Sequence, residues 1–145
     1  MIGVSGCLAG ISCRYDGRSK PDEETVRMVK EGEAMAFCPE CLAGLKIPRS
    51  PSEISGGDGY DVLSGQARVV SEDGKDRTAE FIKAAHKSLK FCKKNGIKKV
   101  WLKSKSPSCG KSRIYDGTFS GSLRPGTGVT AAYLMQNSVE VVEID

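Results

Sequence analysis

Short apolar runs alternate with amphipathic segments along this chain, and that alternation restricts the folds open to it. The clearest segment spans 76–95. Ile82, Ala85, Leu89 and Cys92 recur there at three- and four-residue steps, while Lys83, Lys87, Lys90 and Lys94 occupy another face. This predicts a helix with Asp76 as N-cap and Asn95-Gly96 as its left-handed stop. Val100-Trp101-Leu102 follows as a buried strand. Upstream, Val4 to Leu8 and Ala34 to Cys38 read as strands around a helix over Asp22 to Lys30, with Pro21 and acidic residues at its start. Pro48 to Tyr60 reads as a loop, and a loop of that length is often functional. Asp61 to Val70 predicts a small hairpin about Ser64-Gly65-Gln66. Val129 to Gln136 reads as a helix and Val139 to Ile144 as a closing strand. Such alternation favours an α/β fold: a mainly parallel, Rossmann-like sheet flanked by helices. The length of 145 residues suggests one domain covering 1–145.

In sheets of this kind ligands sit beyond the carboxyl ends of the strands. Cys7, Cys38 and the segment Ser106 to Cys109 each follow an expected strand directly. Three cysteines far apart in sequence can therefore meet at one sheet edge. The first residues, Met1-Ile2-Gly3-Val4-Ser5, show no basic or long apolar stretch, and no run is apolar enough to span a membrane. The expectation is a cytoplasmic protein, where thiols stay reduced. Its six cysteines then serve as metal ligands, catalytic groups or core residues.

Cys92, on the apolar stripe of a helix, reads as core, and so does Cys41. Cys13 lies in a polar setting, Ser12-Cys13-Arg14-Tyr15-Asp16, and stays open. Cys38-Pro39-Glu40-Cys41 is a CxxC pair. As zinc ligands it would need a second pair or two histidines, and the one histidine is His86 in the lysine-rich helix. As a thioredoxin-like redox pair it would have to open a helix. Three converging thiolates, by contrast, suffice to hold an iron–sulfur cluster while leaving one iron open.

The net charge of +4 is mild, but nine lysines from Lys83 to Lys105 crowd one segment. They form a solvated helix face or a weak electrostatic footprint for RNA or a phosphorylated substrate. No aromatic residues alternate with them, which argues against a base-stacking platform. Gly126-Thr127-Gly128-Val129-Thr130 opens an expected helix, whose free N–H groups would suit an anion or the polar edge of a pyrimidine. Arg49 and the Tyr115-Asp116-Gly117 turn read either as neighbours of substrate or cluster, or as loop anchors.

Seven segments appear in order: Cys7-Leu8-Ala9-Gly10, Cys13-Arg14-Tyr15-Asp16-Gly17, Cys38-Pro39-Glu40, Pro48-Arg49-Ser50-Pro51, Ser106-Pro107-Ser108-Cys109-Gly110, Tyr115-Asp116-Gly117-Thr118-Phe119-Ser120-Gly121 and Gly126-Thr127-Gly128-Val129-Thr130. Together they resemble the thiouracil desulfidase family over nearly the whole chain. The family pattern has two glycines shortly after Cys-Pro-Glu, where this chain has Ala43-Gly44 and an added thiol at Cys41. The resemblance implies a [4Fe-4S] cluster held by Cys7, Cys38 and Cys109. It also implies that Glu40 and Ser106 serve a reaction converting 2-thiouracil to uracil and hydrogen sulfide.

The residue types suit that reaction. An iron without a protein ligand can act as a Lewis acid towards the thiocarbonyl sulfur, and no net electron transfer is needed. Glu40, two residues from Cys38, can carry the protons. Burial and the anionic cluster would raise its pKa from about 4.3. Ser106 would orient water or the ring, and Ser108 would donate to a cluster sulfur. A thiolated nucleotide or tRNA base is the variant substrate that the lysines favour. An iron–sulfur electron-transfer protein is the alternative, and it requires a fourth ligand from Cys13 or Cys41.

Overall fold

A computed structural model describes residues 1–145. Strand β1 (Ile2–Ser5) runs into a single 3-10 turn, Gly6–Ala9, which Gly10 closes with a left-handed backbone (φ 89°). The expected first strand thus ends at Ser5, and Cys7 sits in the turn beyond it. Helix α1 (Glu23–Lys30) starts where Asp22 accepts the Thr25 N–H at 3.0 Å. Strand β2 (Ala34–Phe37) follows, and Pro39 opens the one-turn helix α2 (Pro39–Leu42). The CxxC pair therefore does open a helix, but only a single turn of one. At the position of the family's two glycines only Gly44 has a left-handed backbone (φ 86°), while Ala43 is right-handed. A side chain at position 43 is consequently unstrained.

The segment 48–71 departs from expectation. Strand β3 (Ser52–Ser55) lies within the expected loop, and it pairs antiparallel with β4 (Arg68–Ser71). The expected hairpin about Ser64-Gly65-Gln66 does not form, because its first arm is helix α3 (Gly59–Leu63). The Asp58 carboxylate caps that helix and the Asp61 carboxylate returns to the Asp58 N–H at 2.9 Å, a reciprocal box that commits 58–63 to a helical start.

Helix α4 (Thr78–Lys94) carries its buried stripe as the periodicity predicts, but its N-cap is Arg77, one residue past the expected Asp76, whose carboxylate instead accepts the Thr78 N–H at 2.9 Å from outside the helix. Next come β5 (Lys99–Lys103), the short antiparallel pair β6 (Arg113–Tyr115) and β7 (Leu123–Pro125), helix α5 (Val129–Gln136) and strand β8 (Glu140–Ile144). The main sheet has the order β2-β1-β5-β8, and every pairing in it is parallel. The α/β expectation holds.

One core fills the space between this sheet and helices α4 and α5, with Phe37, Leu89, Val100, Leu102 and Leu134 among its members. Cys92, fully buried, belongs to it. A second core, including Ile54, Val69, Phe81 and Ile114, joins the β3–β4 ribbon and β6 to the helices. No helix is long and apolar enough to cross a membrane.

Candidate functional site

Strands β2, β1 and β5 are neighbours and parallel, so their carboxyl ends lie side by side. Cys38 leaves the end of β2, Cys7 the end of β1, and Cys109 the loop after β5. All three line a single cavity of about 510 Å³, together with Cys13, Glu40 and Ser106. The six cysteines are free thiols. Cys13, Cys38 and Cys41 pack around Cys7 and Leu8, but Cys41 does not line the cavity.

The Cys109 loop is held from behind by α5. The N–H groups of Gly128, Val129 and Ala131 donate to the carbonyls of Gly110 (2.7 Å), Pro107 (2.8 Å) and Ser108 (3.0 Å). The Thr127 N–H goes to Asp58 Oδ2 at 3.3 Å. The start of α5 therefore offers no free N–H array to a ligand, contrary to expectation. Its donors are taken because the helix end abuts a loop with orphan carbonyls. A Cβ on Gly128 would lie 2.6 Å from the Ser108 carbonyl carbon and oxygen, so only glycine permits this approach.

Ser106 shapes the same loop. Its Oγ accepts the N–H groups of Ser108 (3.0 Å) and Cys109 (3.1 Å). Both lone pairs are then occupied, and the hydroxyl hydrogen remains to donate. Ser108 is fully buried, lies off the cavity wall, and donates to Thr130 Oγ1 at 2.9 Å. Its hydroxyl also favours the Cys109 thiolate. The structure thus sets Ser108 beside the cysteine sulfur rather than in the cavity.

Glu40 pairs with Arg49, Nη2 to Oε2 at 2.8 Å, and both side chains are largely buried (16% and 12% exposed). Arg49 is itself anchored: its N–H donates to the Tyr15 carbonyl at 2.7 Å and its guanidinium to the Lys46 carbonyl at 3.3 Å. Periodicity and motif spacing gave no hint of this partnership across nine residues.

The thiols differ from one another. Burial, reinforced by Cys38 and Glu40, pushes Cys7 and Cys109 above the ordinary thiol range, although Arg14 partly offsets this at Cys7. A hydrogen bond from Cys13 draws Cys38 down to about 7 and drives Cys13 up. Burial and Cys38 push Cys41 to about 12. Soft sulfur donors crowded on one wall resist ionising together unless a cationic metal centre compensates their charge. No three ligating side chains converge tightly enough for a single ion. The donor set fits a larger iron–sulfur body lodged in the cavity.

The rest of the lining includes Glu53, which the sequence did not single out, and the expected Tyr115 turn. Glu53 of β3, 8% exposed, accepts the N–H groups of Gly117 (2.9 Å) and Phe119 (3.2 Å) through Oε1. Phe119 and Tyr115 line the cavity beside it. Arg14, Lys20, Lys103 and Lys105 add positive charge.

A parallel α/β sheet with a thiol-lined cavity at its carboxyl edge defines the class: a fold whose lining suits a sulfur-ligated metal centre. The chain belongs to the 2-thiouracil desulfurase family, whose model matches residues 2–145. It is 46% identical over 142 residues to the uncharacterized protein YbbK of Bacillus subtilis (strain 168), covering 98% of this chain and 94% of that one. It is also similar to the solved [4Fe-4S]-dependent thiouracil desulfidase TudS, with a TM-score of 0.85 and 42% identity, over 98% of this chain and 89% of that one.

Proposed function

We propose that this protein is a [4Fe-4S]-dependent desulfidase that hydrolyses 2-thiouracil to uracil and hydrogen sulfide, with residues 1–145 acting as one functional unit. One observation carries the reading: three cysteines leave the ends of three adjacent parallel strands and share a cavity with Glu40 and Ser106. Cys7, Cys38 and Cys109 are the ligands, and the bound cluster supplies an iron without a protein ligand that acts as Lewis acid towards the thiocarbonyl sulfur. A cytoplasmic setting suits six reduced thiols.

The protein's own groups handle the ring and the protons. Arg49 holds Oε2 of Glu40 and leaves Oε1 to accept a hydrogen bond from water. Glu40 takes one proton as water attacks the C=S carbon and passes it to sulfur, then takes the second from the new hydroxyl as C=O forms and the C–S bond breaks, so both water protons leave on sulfur. Carbon gains C=O and sulfur leaves as hydrogen sulfide, with no change in electron count. Ser106, with its acceptor sites filled, donates to the ring or the attacking oxygen. Ser108, whose hydroxyl hydrogen goes to Thr130, buttresses the Cys109 loop from behind. Arg14, Lys20 and Lys103 on the cavity wall are the groups that would meet the phosphate of a thiolated nucleotide, the second substrate to test.

Anaerobic purification tests the reading. Brown protein with about four iron and four sulfide per chain is the expected outcome, together with sulfide release from 2-thiouracil. Colourless protein, or brown protein inert towards thiolated pyrimidines and their nucleotides, would overturn it. An electron-transfer protein would instead show loss of its cluster on Cys13→Ala and indifference to Glu40→Gln.

A further inference from the structure

The buried carboxylate of Glu53 has no place in the proton handling described above, and it explains an odd feature of the cavity. Only three non-glycine residues have left-handed backbones, and two of them, Lys105 and Phe119, stand on the cavity wall. Phe119 has φ 55°. An aromatic residue in that region is strained and persists only where its surroundings dictate it, as at ligand clamps. Here they do. Glu53 Oε1 holds the N–H groups on both sides of Thr118, at Gly117 and Phe119. Gly117 presses so closely on β3 that a Cβ would lie 2.6 Å from the Ile54 carbonyl oxygen. The Asp116 N–H closes the turn on the Ser122 carbonyl at 3.0 Å, and Asp116 Oδ1 accepts the Thr118 N–H at 3.0 Å.

The effect is to fix an aromatic side chain at a wall that is otherwise largely thiol, hydroxyl and charged groups. A pyrimidine needs an apolar surface for its π-face; of the other aromatic residues there Phe81 is only 2% exposed, and Tyr15 and Tyr115 carry polar hydroxyls and lack the left-handed clamp that holds Phe119. We propose that Phe119 is the stacking platform for the substrate's pyrimidine ring, and that Glu53 is the positioning residue that holds it there. This deepens the desulfidase reading and rests on it for the identity of the ring.

The test uses the cluster-loaded enzyme, with steady-state kinetics on 2-thiouracil and calorimetric binding of uracil. Phe119→Ala should raise KM and weaken uracil binding about ten-fold, the scale of one lost base–aromatic stack, with iron content unchanged. Phe119→Tyr should restore both. Phe119→Gly should weaken binding equally while thermal stability holds or rises, since glycine relieves the left-handed backbone. Glu53→Ala should raise KM with a smaller change in kcat, and Glu53→Gln, whose carbonyl can still accept both N–H groups, should recover it. If wild-type enzyme releases sulfide and Phe119→Ala leaves KM and uracil binding unchanged, the proposal fails and the desulfidase reading survives. If wild type binds uracil through Phe119 but releases no sulfide, the proposal stands and the reading falls. Absence of pyrimidine binding by wild type overturns both.

Discussion

The cavity has two walls built by different means. One is the carboxyl edge of β2, β1 and β5, which supplies Cys38, Cys7 and Cys109 from three short motifs. The other is the β3–β4 ribbon and the 115–121 turn, which meet only through tertiary contacts such as Glu53 on Gly117 and Phe119. The first wall carries the thiols, Glu40 and Ser106, and the second completes the lining. Substitutions in the first wall should abolish chemistry, whereas those in the second should change affinity.

The sharpest break is at the cysteines. Cys7→Ala, Cys38→Ala and Cys109→Ala should each lose the cluster, its brown absorbance and all sulfide release. Cys92→Ala should keep iron and activity and cost on the order of 1 kcal/mol of stability, because Cys92 is a fully buried core residue. Iron retention in Cys7→Ala with loss in Cys13→Ala would reassign the ligand set.

Next in size is Glu40→Gln. Iron content should be unchanged while kcat falls about 10²–10⁴-fold, the range for a lost general acid–base group. Arg49→Met should lower kcat less, through a Glu40 carboxylate no longer held. Equal kcat in both variants would break the division between the walls, since Arg49 belongs to the loop that joins them.

Gly128→Ala tests the support behind the thiol wall. The added methyl meets the Ser108 backbone, a collision that overpacking data put at about 1–3 kcal/mol. Reduced cluster occupancy should accompany the lower thermal midpoint. Ala43→Gly, at an unstrained right-handed position, should leave occupancy untouched.

The two walls also differ in how far the sequence reveals them. Parallel strands and the amphipathic 76–95 helix announce themselves through periodicity, and residues just after such strands must lie at the sheet's carboxyl edge. That local rule places Cys7, Cys38 and Cys109. The ribbon is different. Ser52–Ser55 is a four-residue strand with a charged residue, Glu53, turned inward, so polarity hides it within an apparent loop. The 61–70 hairpin expectation failed because the cap at Asp58 outweighs the turn signal of Ser64-Gly65-Gln66. The Gly126-Thr127-Gly128 segment was legible as a helix start, but not its target, since nothing local says which carbonyls a helix end will meet. Glu40 followed from its motif, whereas Arg49 as its partner depends on how the loop after α2 folds back onto that helix.

The smallest expected effect isolates stability from chemistry. Asp22 caps α1, accepting the Thr25 N–H at 3.0 Å and the Thr25 hydroxyl at 2.7 Å, and neither residue lines the cavity. Asp22→Ala should cost about 0.5–2 kcal/mol by chemical denaturation, the usual range for a lost N-cap. Iron content, kcat and KM should all match wild type. Asp58→Ala makes the instructive pair. Asp58 also caps a helix, but its second oxygen accepts the Thr127 N–H beside the clamp on the Cys109 loop. A similar loss of stability in that variant should come with reduced cluster occupancy. If both variants lose only stability, the thiol wall is held by the sheet alone, and the α5 clamp contributes nothing to metal binding.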